Sequence, residues 1–481
     1  MRLVTKSLRS SSLRSSVLRS SPRGSCIPAL AAGLLAVVAC SSDDDGATTA
    51  GDGDTTGEPT SSEGPTFHAD VAPIFNQKCT GCHQEGGIGP FLLTEYEPAS
   101  ERASQIAAYT AQRIMPPFLI ETGGDCGSFD ESIALTEAEI TTIGEWAEAG
   151  ALEGTMAPEG MGALAPRPLP VLEGGRDFDL PSFEPRVMGG ALAEFDEYRC
   201  FPVELGLTSD QYVTGYDVLP GNDAIVHHVL GFILDPNQVV EGGTNAEIMQ
   251  ALDDESPDRL GWPCFGMAGE GLAVESAPIV WAPGQGVVSY PGGLGVSLRQ
   301  DRVFVAQVHY NLADGAAPGQ TDQTKVRLRL ADSVPRQGVF VLEDDMLRSL
   351  GSDAPVMLPA GRESVVIDWT RRVGESGLPE GLETELVGLF PHMHGRGRKY
   401  TFEVSNGGGF ECQGRINRWD FNWQRIYDYA VPVPVDANTE IRVTCDYDTR
   451  DATADVMPGW GTRNEMCFVM GMLALPPGVF L

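Results

Sequence analysis

Two histidines with one residue between them carry the first sign of chemistry in this chain. His392 and His394 lie in "GLFPHMHGRGRKY", after a short apolar run that predicts the end of a strand. Because side chains at positions i and i+2 of a strand point to the same face, both imidazoles could bind one metal ion. The chain has only seven histidines. A solvated pair beside a turn would give the same spacing, so the fragment alone leaves both interpretations open.

Three more histidines lie in the same strand-rich part of the chain. His227 and His228 are adjacent in "AIVHHVLGFIL", and His309 lies in "AQVHYN". Adjacent side chains of a regular strand point to opposite faces, so His227 and His228 can reach one metal ion only through a bulge or at a strand end. The alternative is one buried and one exposed histidine.

A third motif, "KCTGCHQ", contains Cys79, Cys82 and His83. The pattern C-x-x-C-H is the attachment signature of c-type haem. The two thiols bind the haem covalently, and the histidine becomes an axial ligand of the iron. A zinc site or a redox-active cysteine pair would also use two cysteines at this spacing, but the adjacent histidine and an export signal favour haem.

The residues after this motif predict a second iron ligand. A helical pattern in "EPASERASQIAAYTAQRIMPPF" ends at two prolines, and Met115 lies just before them. A thioether there could bind the iron, although methionine is also a common core filler. A closing helix follows, with a capping box predicted at Thr136 and Glu139. Residues 64–155 therefore resemble a class I cytochrome c, a small all-α electron carrier.

The N-terminus has the features of an export signal. A basic, serine-rich segment precedes the apolar residues 27–40, which are too few to span a bilayer. The stretch "VVAC" resembles a bacterial lipobox, which implies that residues 1–40 are a signal peptide and that Cys40 is lipidated. An ordinary signal peptide with an incidental cysteine is the alternative. We expect an extracytoplasmic protein on the outer membrane that contacts lipid only through this anchor.

Composition divides the rest of the chain. Residues 41–63 are small and acidic and predict a disordered linker, and residues 156–180 are a second linker rich in proline and glycine. The strand patterns that follow exceed one sandwich, so we predict two all-β, jelly-roll-like sandwiches at 181–333 and 334–481. The fold class is thus multidomain, a small all-α domain followed by two sandwiches. The net charge of −34 argues against binding to nucleic acid.

The ordered set "HHV…VHY…HMH…EMC" resembles the copper type II ascorbate-dependent monooxygenases, the family of peptidylglycine α-hydroxylating monooxygenase and dopamine β-hydroxylase. The resemblance covers roughly residues 180–475. It implies two copper ions with three ligands each: His227, His228 and His309 for the first, and His392, His394 and Met466 for the second. The thioether favours Cu(I), the state that binds dioxygen. The second copper is therefore the expected catalytic one, with O2 as co-substrate.

The resemblance also implies two disulfides, Cys445 with Cys467 and Cys200 with Cys264. The first would brace the strand that carries Met466, and an exported chain favours such bonds. Cys126 and Cys412 remain. A bond between them would join the helical unit to the catalytic unit, and the sequence leaves that pairing open.

The substrate side of the second site departs from the family pattern. The peptidylglycine enzymes have an arginine two residues before the His-x-His pair, where this chain has Phe390, and Phe468 and Met470 follow its "EMC". C-terminal glycine amidation is therefore not expected. An apolar pocket would suit a small aromatic or aliphatic substrate, while core packing explains these side chains equally well.

Together these patterns predict a copper-dependent monooxygenase that hydroxylates a substrate C–H bond with O2. Each turnover needs two electrons. The family usually takes them from ascorbate, and here the chain's own haem, reduced by an external donor, could supply them one at a time. The alternative is a non-catalytic module that transfers electrons, binds copper or senses. The methionine retained in the second copper set favours the enzyme.

Overall fold

The computed structural model describes residues 64–123, 125–130, 132–155, 169–187, 196–283, 285–312 and 319–480. The predicted signal peptide with Cys40, the linker 41–63 and residues 156–168 of the second linker lie outside the described residues. Within the described ranges, no helix combines the length and apolar character needed to cross a bilayer.

The first part of the described chain is helical. It contains a π-helical turn and four α-helices: Phe67–Val71, Ala72–Lys78, Tyr96–Ser100, Ala103–Ala111 and Glu137–Glu148. The predicted capping box is confirmed, because the Thr136 hydroxyl accepts from the Glu139 amide at 3.2 Å and the Glu139 carboxylate accepts from the Thr136 amide at 2.7 Å. Buried rings of Phe67, Phe75 and Trp146 form the small core between the helices.

The remainder is predominantly β-structure with three further short helical segments and one α-helix of ten residues. The helical segments are Asn245–Asp254, Pro291–Gly293, Asp345–Ser349 and Val373–Ser376. The strands are Gly175–Asp179, Asp196–Val203, Gln211–Leu219, Val226–Leu234, Val239–Val240, Gly243–Thr244, Trp262–Pro263, Ser276–Trp281, Val288–Ser289, Leu294–Leu298, Val303–Asn311, Lys325–Ala331, Arg336–Asp344, Val365–Arg372, Thr384–His392, Gly397–Ser405, Glu411–Ile416, Tyr427–Val435, Glu440–Tyr447 and Phe468–Ala474.

Two layers of sheet form the first sandwich. One sheet has the order Trp262–Pro263, Asp196–Val203, Val303–Asn311, Val226–Leu234 and Ser276–Trp281. The other begins Gly175–Asp179, Lys325–Ala331, Gln211–Leu219 and Leu294–Leu298. Alternating side chains from both sheets meet in one apolar core that includes Phe201, Val229, Tyr216 and Leu328.

The second sandwich continues one of these sheets. Leu294–Leu298 pairs in parallel with Arg336–Asp344, and the sheet runs on through Phe468–Ala474, Thr384–His392 and Tyr427–Val435. The facing sheet has the order Val365–Arg372, Glu440–Tyr447, Gly397–Ser405 and Glu411–Ile416. The architecture agrees with the predicted β-sandwiches, and the structure adds that they share a continuous sheet.

A segment after the third α-helix lies against the second sandwich. Ile120 forms a β-bridge with Ile416, and Phe129 forms one with Tyr429. Ile120 is 2% exposed and belongs to the core of this sandwich. Residues 118–130 therefore dock the helical unit onto the sandwich.

The described residues contain three disulfides. They join Cys126 with Cys412, Cys200 with Cys264, and Cys445 with Cys467. The two pairings implied by the family resemblance are confirmed, and the pairing left open is present, covalently joining residues 118–130 to the second sandwich.

Asp344 is a buried residue of the second sandwich, and burial changes the pKa of its carboxyl group. Its carboxylate accepts from the amides of Leu347 at 2.9 Å and Cys467 at 3.1 Å. Burial nevertheless raises the pKa of Asp344 to about 7, because desolvation disfavours the charged form. Between about pH 4 and pH 7 the folded protein keeps a proton on Asp344 that the unfolded chain has released. The contribution of this group to the free energy of unfolding is therefore full in acid and is lost as pH rises through that range.

We therefore expect Asp344→Asn to remove this pH dependence. Between about pH 4 and pH 7, the free energy of unfolding of the variant should rise relative to that of wild type by up to roughly 1.4 kcal/mol per pH unit. Denaturant unfolding between pH 4 and pH 8 measures it, with Asp353→Asn, at an exposed position, as the control for charge. Parallel stability curves for Asp344→Asn and wild type would contradict the assignment.

Candidate metal centres

Three imidazoles of the first sandwich converge on one point. The Nδ1 atom of His228 lies 3.3 Å from that of His227 and 3.2 Å from that of His309. The possible ligand atoms of all three residues lie within 4.8 Å of one another. In a tetrahedral zinc site, bonds of roughly 2.0–2.1 Å hold neighbouring nitrogens about 3.3 Å apart. The two Nδ1–Nδ1 spacings from His228 match that value, so the three rings lie close enough to converge on one metal ion.

A β-bulge brings the two adjacent histidines to the same point. His309 lies opposite His228, whereas the next residue, Tyr310, lies opposite Val226. His227 is thus the extra residue on its strand, and its side chain turns toward the face of its neighbour. The sequence required a bulge or a strand end here, and the structure has the bulge.

Burial keeps these imidazoles neutral. It lowers the pKa of His227 to about 4 and that of His228 and His309 well below the ordinary value. Only the neutral imidazole has a lone pair for a metal. The Nε2–H of His309 donates to Asp196 Oδ1 at 3.0 Å, which leaves its Nδ1 lone pair toward the other two rings. Tyr198 stacks on His309 with ring centroids 4.0 Å apart.

The strand Asp196–Val203, which carries Asp196 and Tyr198, also holds the loop that precedes Met466. Asp196 Oδ2 accepts from the Thr462 hydroxyl at 2.7 Å, and the Tyr198 hydroxyl donates to the Trp460 carbonyl at 3.1 Å. Asp196 is fully buried. Its two oxygens therefore connect the three-histidine cluster with the loop that carries the predicted methionine ligand.

The second candidate centre lies where the strand Thr384–His392 ends. The rings of His392 and His394 have centroids 5.1 Å apart and are nearly perpendicular. His394 Nδ1 donates to the Asn464 carbonyl at 2.9 Å, and His392 Nδ1 hydrogen-bonds to the side-chain oxygen of Gln424. Because Nδ1 is engaged in both rings, Nε2 is the atom that each can offer to a metal.

Met466 is held beside this pair. The carboxylate of Glu465 accepts from the His394 amide at 2.9 Å and from the Arg396 amide at 2.7 Å. The Tyr447 hydroxyl donates to the Met466 carbonyl at 2.6 Å. These bonds fix the backbone of Met466 relative to that of His394, and both side chains line one cavity.

That cavity, of about 90 Å³, is lined by residues of both histidine groups. His228 of the first group lines it together with His392, His394 and Met466 of the second. Most of the remaining wall is apolar: Leu230, Phe232, Val280, Leu342, Phe390, Phe468 and Met470. The three side chains that the sequence predicted for an apolar pocket are among them, and they also pack into an apolar cluster.

The predicted haem residues line a separate cavity of about 250 Å³. Its wall includes Cys79, Cys82, His83 and Met115, among mostly apolar side chains. The Nδ1–H of His83 donates to the carbonyl of Phe91 at 3.0 Å, and burial lowers the pKa of His83. A neutral ring with its Nδ1 proton engaged offers Nε2 as the ligand atom.

Several side chains at these centres escaped the sequence analysis. Asp196 and Gln424 orient imidazoles, whereas Phe421 and Trp423 contact the histidines or the haem cavity. Asp196 lies two residues before Tyr198, and only the strand pairing places it beside His309. The other three come from an irregular turn whose composition carries no motif.

Comparison with known proteins gives one family match. Residues 358–472 match the copper type II ascorbate-dependent monooxygenase C-terminal domain. Dopamine β-hydroxylase from rat is 25% identical over 280 residues, covering 56% of this chain and 42% of the relative. Mouse DBH-like monooxygenase protein 2 is 24% identical over 258 residues, covering 52% and 38%. The chain thus spans about two-fifths of the length of these relatives. The matches support the copper type II monooxygenase family.

Among solved structures, the major capsid protein P2 of bacteriophage PM2 is 9% identical. The match covers 64% of this chain and all of the capsid protein, and its TM-score of 0.25 is too low to carry an argument.

Asp196→Asn should weaken metal binding by the three-histidine cluster. The amide is a poorer acceptor for His309 Nε2–H, so Cu(II) affinity should fall about 10–100-fold. Competition with a chelator in a His392→Ala background, which removes a predicted ligand of the second centre, measures it.

Thr462→Val is the matched control, because it removes the bond between the Thr462 hydroxyl and Asp196 Oδ2 and keeps the bond to His309. Its Cu(II) affinity should stay close to wild type. Equal affinities in Asp196→Asn and wild type would rule out this role of Asp196.

Proposed function

We propose that this chain is an exported copper monooxygenase that hydroxylates a C–H bond of a small apolar molecule and receives electrons through its own c-type haem. One observation carries the proposal. His228, from a cluster of three histidines, lines one largely apolar cavity together with a separate His-x-His pair and Met466. The family match over residues 358–472 supports copper as the metal.

The ligands fit two different tasks. His227, His228 and His309 offer three nitrogens and would hold the first copper. His392, His394 and Met466 would hold the second, where a soft thioether favours Cu(I) and three ligands leave a position for O2. When bound, copper supplies one-electron redox chemistry and activation of dioxygen. The overall reaction consumes substrate, O2, two electrons and two protons, and yields the alcohol and water.

The chain's own residues orient the imidazoles and exclude water. Gln424 and the Asn464 carbonyl engage Nδ1 of His392 and His394, which keeps both Nε2 atoms available for the second copper. Phe390 and Phe468 present apolar surface beside them. An apolar lining raises the free-energy cost of moving bulk water or a charged group into the cavity.

The cavity wall favours an aromatic or aliphatic substrate. Phe390 stands where the peptidylglycine enzymes place the arginine that holds a substrate carboxylate, and Met470 and Val280 add further apolar surface. A carboxylate would lose its hydration in this cavity without gaining a cationic partner among the lining residues. We therefore expect substrates without a charge near the reacting carbon.

The helical unit fits a haem. Cys79 and Cys82 would bind it covalently, and His83 and Met115 would be the axial ligands, with His83 oriented by the Phe91 carbonyl. When bound, haem supplies one-electron transfer, and an external donor would reduce it. A histidine–methionine pair raises the reduction potential, which suits a carrier that passes electrons to Cu(II).

The site of action is proposed from the N-terminus and the disulfides. A lipidated Cys40 would anchor the chain, with residues 41–63 as a tether. Three disulfides in the described residues suit an oxidising compartment. We place the protein outside the cytoplasm, attached to the outer membrane by its lipid alone.

Met466→Leu should abolish turnover while the fold persists. Leucine keeps the apolar volume but offers no ligand, so substrate-stimulated O2 uptake by the reduced, copper-loaded protein should fall by more than about 100-fold. The control is Met457→Leu, because Met457 is 46% exposed. Retained uptake in Met466→Leu would exclude it as a ligand. If wild type shows no substrate-stimulated uptake with a broad apolar panel, the electron-transfer alternative is favoured.

For the haem, the full chain produced in a host with c-type maturation should carry one covalently bound haem. The double variant Cys79→Ser, Cys82→Ser should release its haem to acidic acetone, because both thioether links are lost.

Met115→Leu should keep the haem and lower its reduction potential, since a thioether ligand raises it. Spectroelectrochemistry measures the potential. An unchanged potential would exclude Met115 as the axial ligand.

A further inference from the structure

A single turn of the second sandwich touches all three candidate centres. The ring of Phe421 stacks on His227 with centroids 4.8 Å apart and planes 26° apart. The same ring meets His394 edge-on at 5.7 Å. Two residues later, Trp423 lines the haem cavity together with Cys79, His83 and Met115. The segment 420–424 thus runs from the wall of one cavity to the histidines of the other.

Hydrogen bonds fix the shape of this turn. The Asn422 amide donates to the Asp420 carboxylate at 3.1 Å, and the Trp423 amide donates to the Asp420 carbonyl at 3.1 Å. The Gln424 side chain donates to the Phe421 carbonyl at 2.8 Å, while its oxygen bonds His392 Nδ1. The turn is therefore tied internally and to the second candidate centre.

Contacts with the helical unit hold the haem cavity against the turn. Arg418 donates to the carbonyl of Arg113, two residues before Met115, at 2.8 Å. Phe118 packs edge-to-face on Tyr427 with centroids 5.2 Å apart. The disulfide between Cys126 and Cys412 closes the same interface covalently. These contacts lie on both sides of segment 420–424, so the cavity and the turn form one rigid contact region.

We propose that segment 420–424 is the electron route from the haem cavity to the first copper site, entered at Trp423 and left at Phe421. This inference rests on the proposed function. Electron tunnelling weakens steeply across empty space and less through covalent bonds and packed rings. Here a short stretch of backbone joins an aromatic ring on the haem side to one stacked on a copper histidine.

Among the ring contacts of Phe421, stacking on His227 favours the first copper as the acceptor. Phe421 lies nearly parallel to His227 at the shorter distance, whereas only an edge contact reaches His394. Each transfer oxidises one ferrous haem to ferric and reduces one Cu(II) to Cu(I). No bond forms or breaks, and the two aromatic rings are not themselves oxidised. Two such transfers supply the two electrons of one hydroxylation, and an external one-electron donor reduces the haem again.

The test uses the full chain loaded with haem and copper, fully oxidised and free of oxygen. A light pulse with a flavin photoreductant delivers one electron to the haem. The decay of the ferrous absorption band is then compared with the loss of the Cu(II) electron paramagnetic resonance signal. In wild type the two changes should match in amplitude and rate.

Phe421→Leu and Trp423→Leu should each slow this decay by about tenfold or more. Phe421→Tyr and Trp423→Phe keep an aromatic ring and should decay at nearly the wild-type rate, which separates electronic coupling from simple packing. The control is Phe410→Leu, because Phe410 packs under Arg442 at 4.1 Å and lines neither cavity. Haem content, copper content and melting temperature are measured for every variant.

The outcomes distinguish the route from the function on which it rests. If both leucine variants keep haem and copper and decay at the wild-type rate, the route is overturned and the haem-to-copper transfer stands. If wild type carries no covalent haem, or decays equally fast without copper, the proposed electron supply fails and the route fails with it. If a leucine variant loses copper, Phe421→Tyr and Trp423→Phe become the test. Slow decay in these aromatic variants would overturn the route.

Discussion

Three imidazoles that meet at one point, with His309 fully buried, are the constraint on which the first sandwich depends. Nitrogens 3.2–3.3 Å apart can share a hydrogen bond or bind one metal ion between them. Burial disfavours the protonated form, as the lowered pKa values of these residues show. The bulge at His227, the stacked ring of Tyr198 and the carboxylate of Asp196 hold the rings together. A metal ion at this point could bind all three rings.

The strand Asp196–Val203 sets the relative position of the two candidate copper centres. Asp196 and Tyr198 each face the histidine cluster on one side and the loop before Met466 on the other. A sheet that continues from Leu294–Leu298 into Arg336–Asp344 joins the two sandwiches behind this contact. The apolar cavity between the centres is thus bounded by parts that are hydrogen-bonded to each other. That arrangement suits an enzyme whose two metals must act on one turnover.

In the proposed function, the helical unit adds a reductant site to this core. Residues 118–130 contribute Ile120 to the core of the second sandwich and a disulfide to its edge. Such an interface fixes the orientation of the haem cavity toward the turn at 420–424. A bound carrier would deliver electrons without a diffusing partner docking at each step, which distinguishes this chain from a family that usually takes electrons from ascorbate.

The sequence by itself determined much of the local structure and predicted the chemistry. Residue type and spacing identified the C-x-x-C-H motif, the capping box at Thr136 and the need for a bulge at His227, because these depend on neighbours within a few positions. The family resemblance supplied the grouping of six ligands and two disulfides. Tertiary structure alone decided what surrounds them. Asp196 meets His309 only through strand register, and Phe421 meets His227 across about two hundred positions of sequence. Such contacts depend on how the sheets pack, and no local pattern encodes that packing.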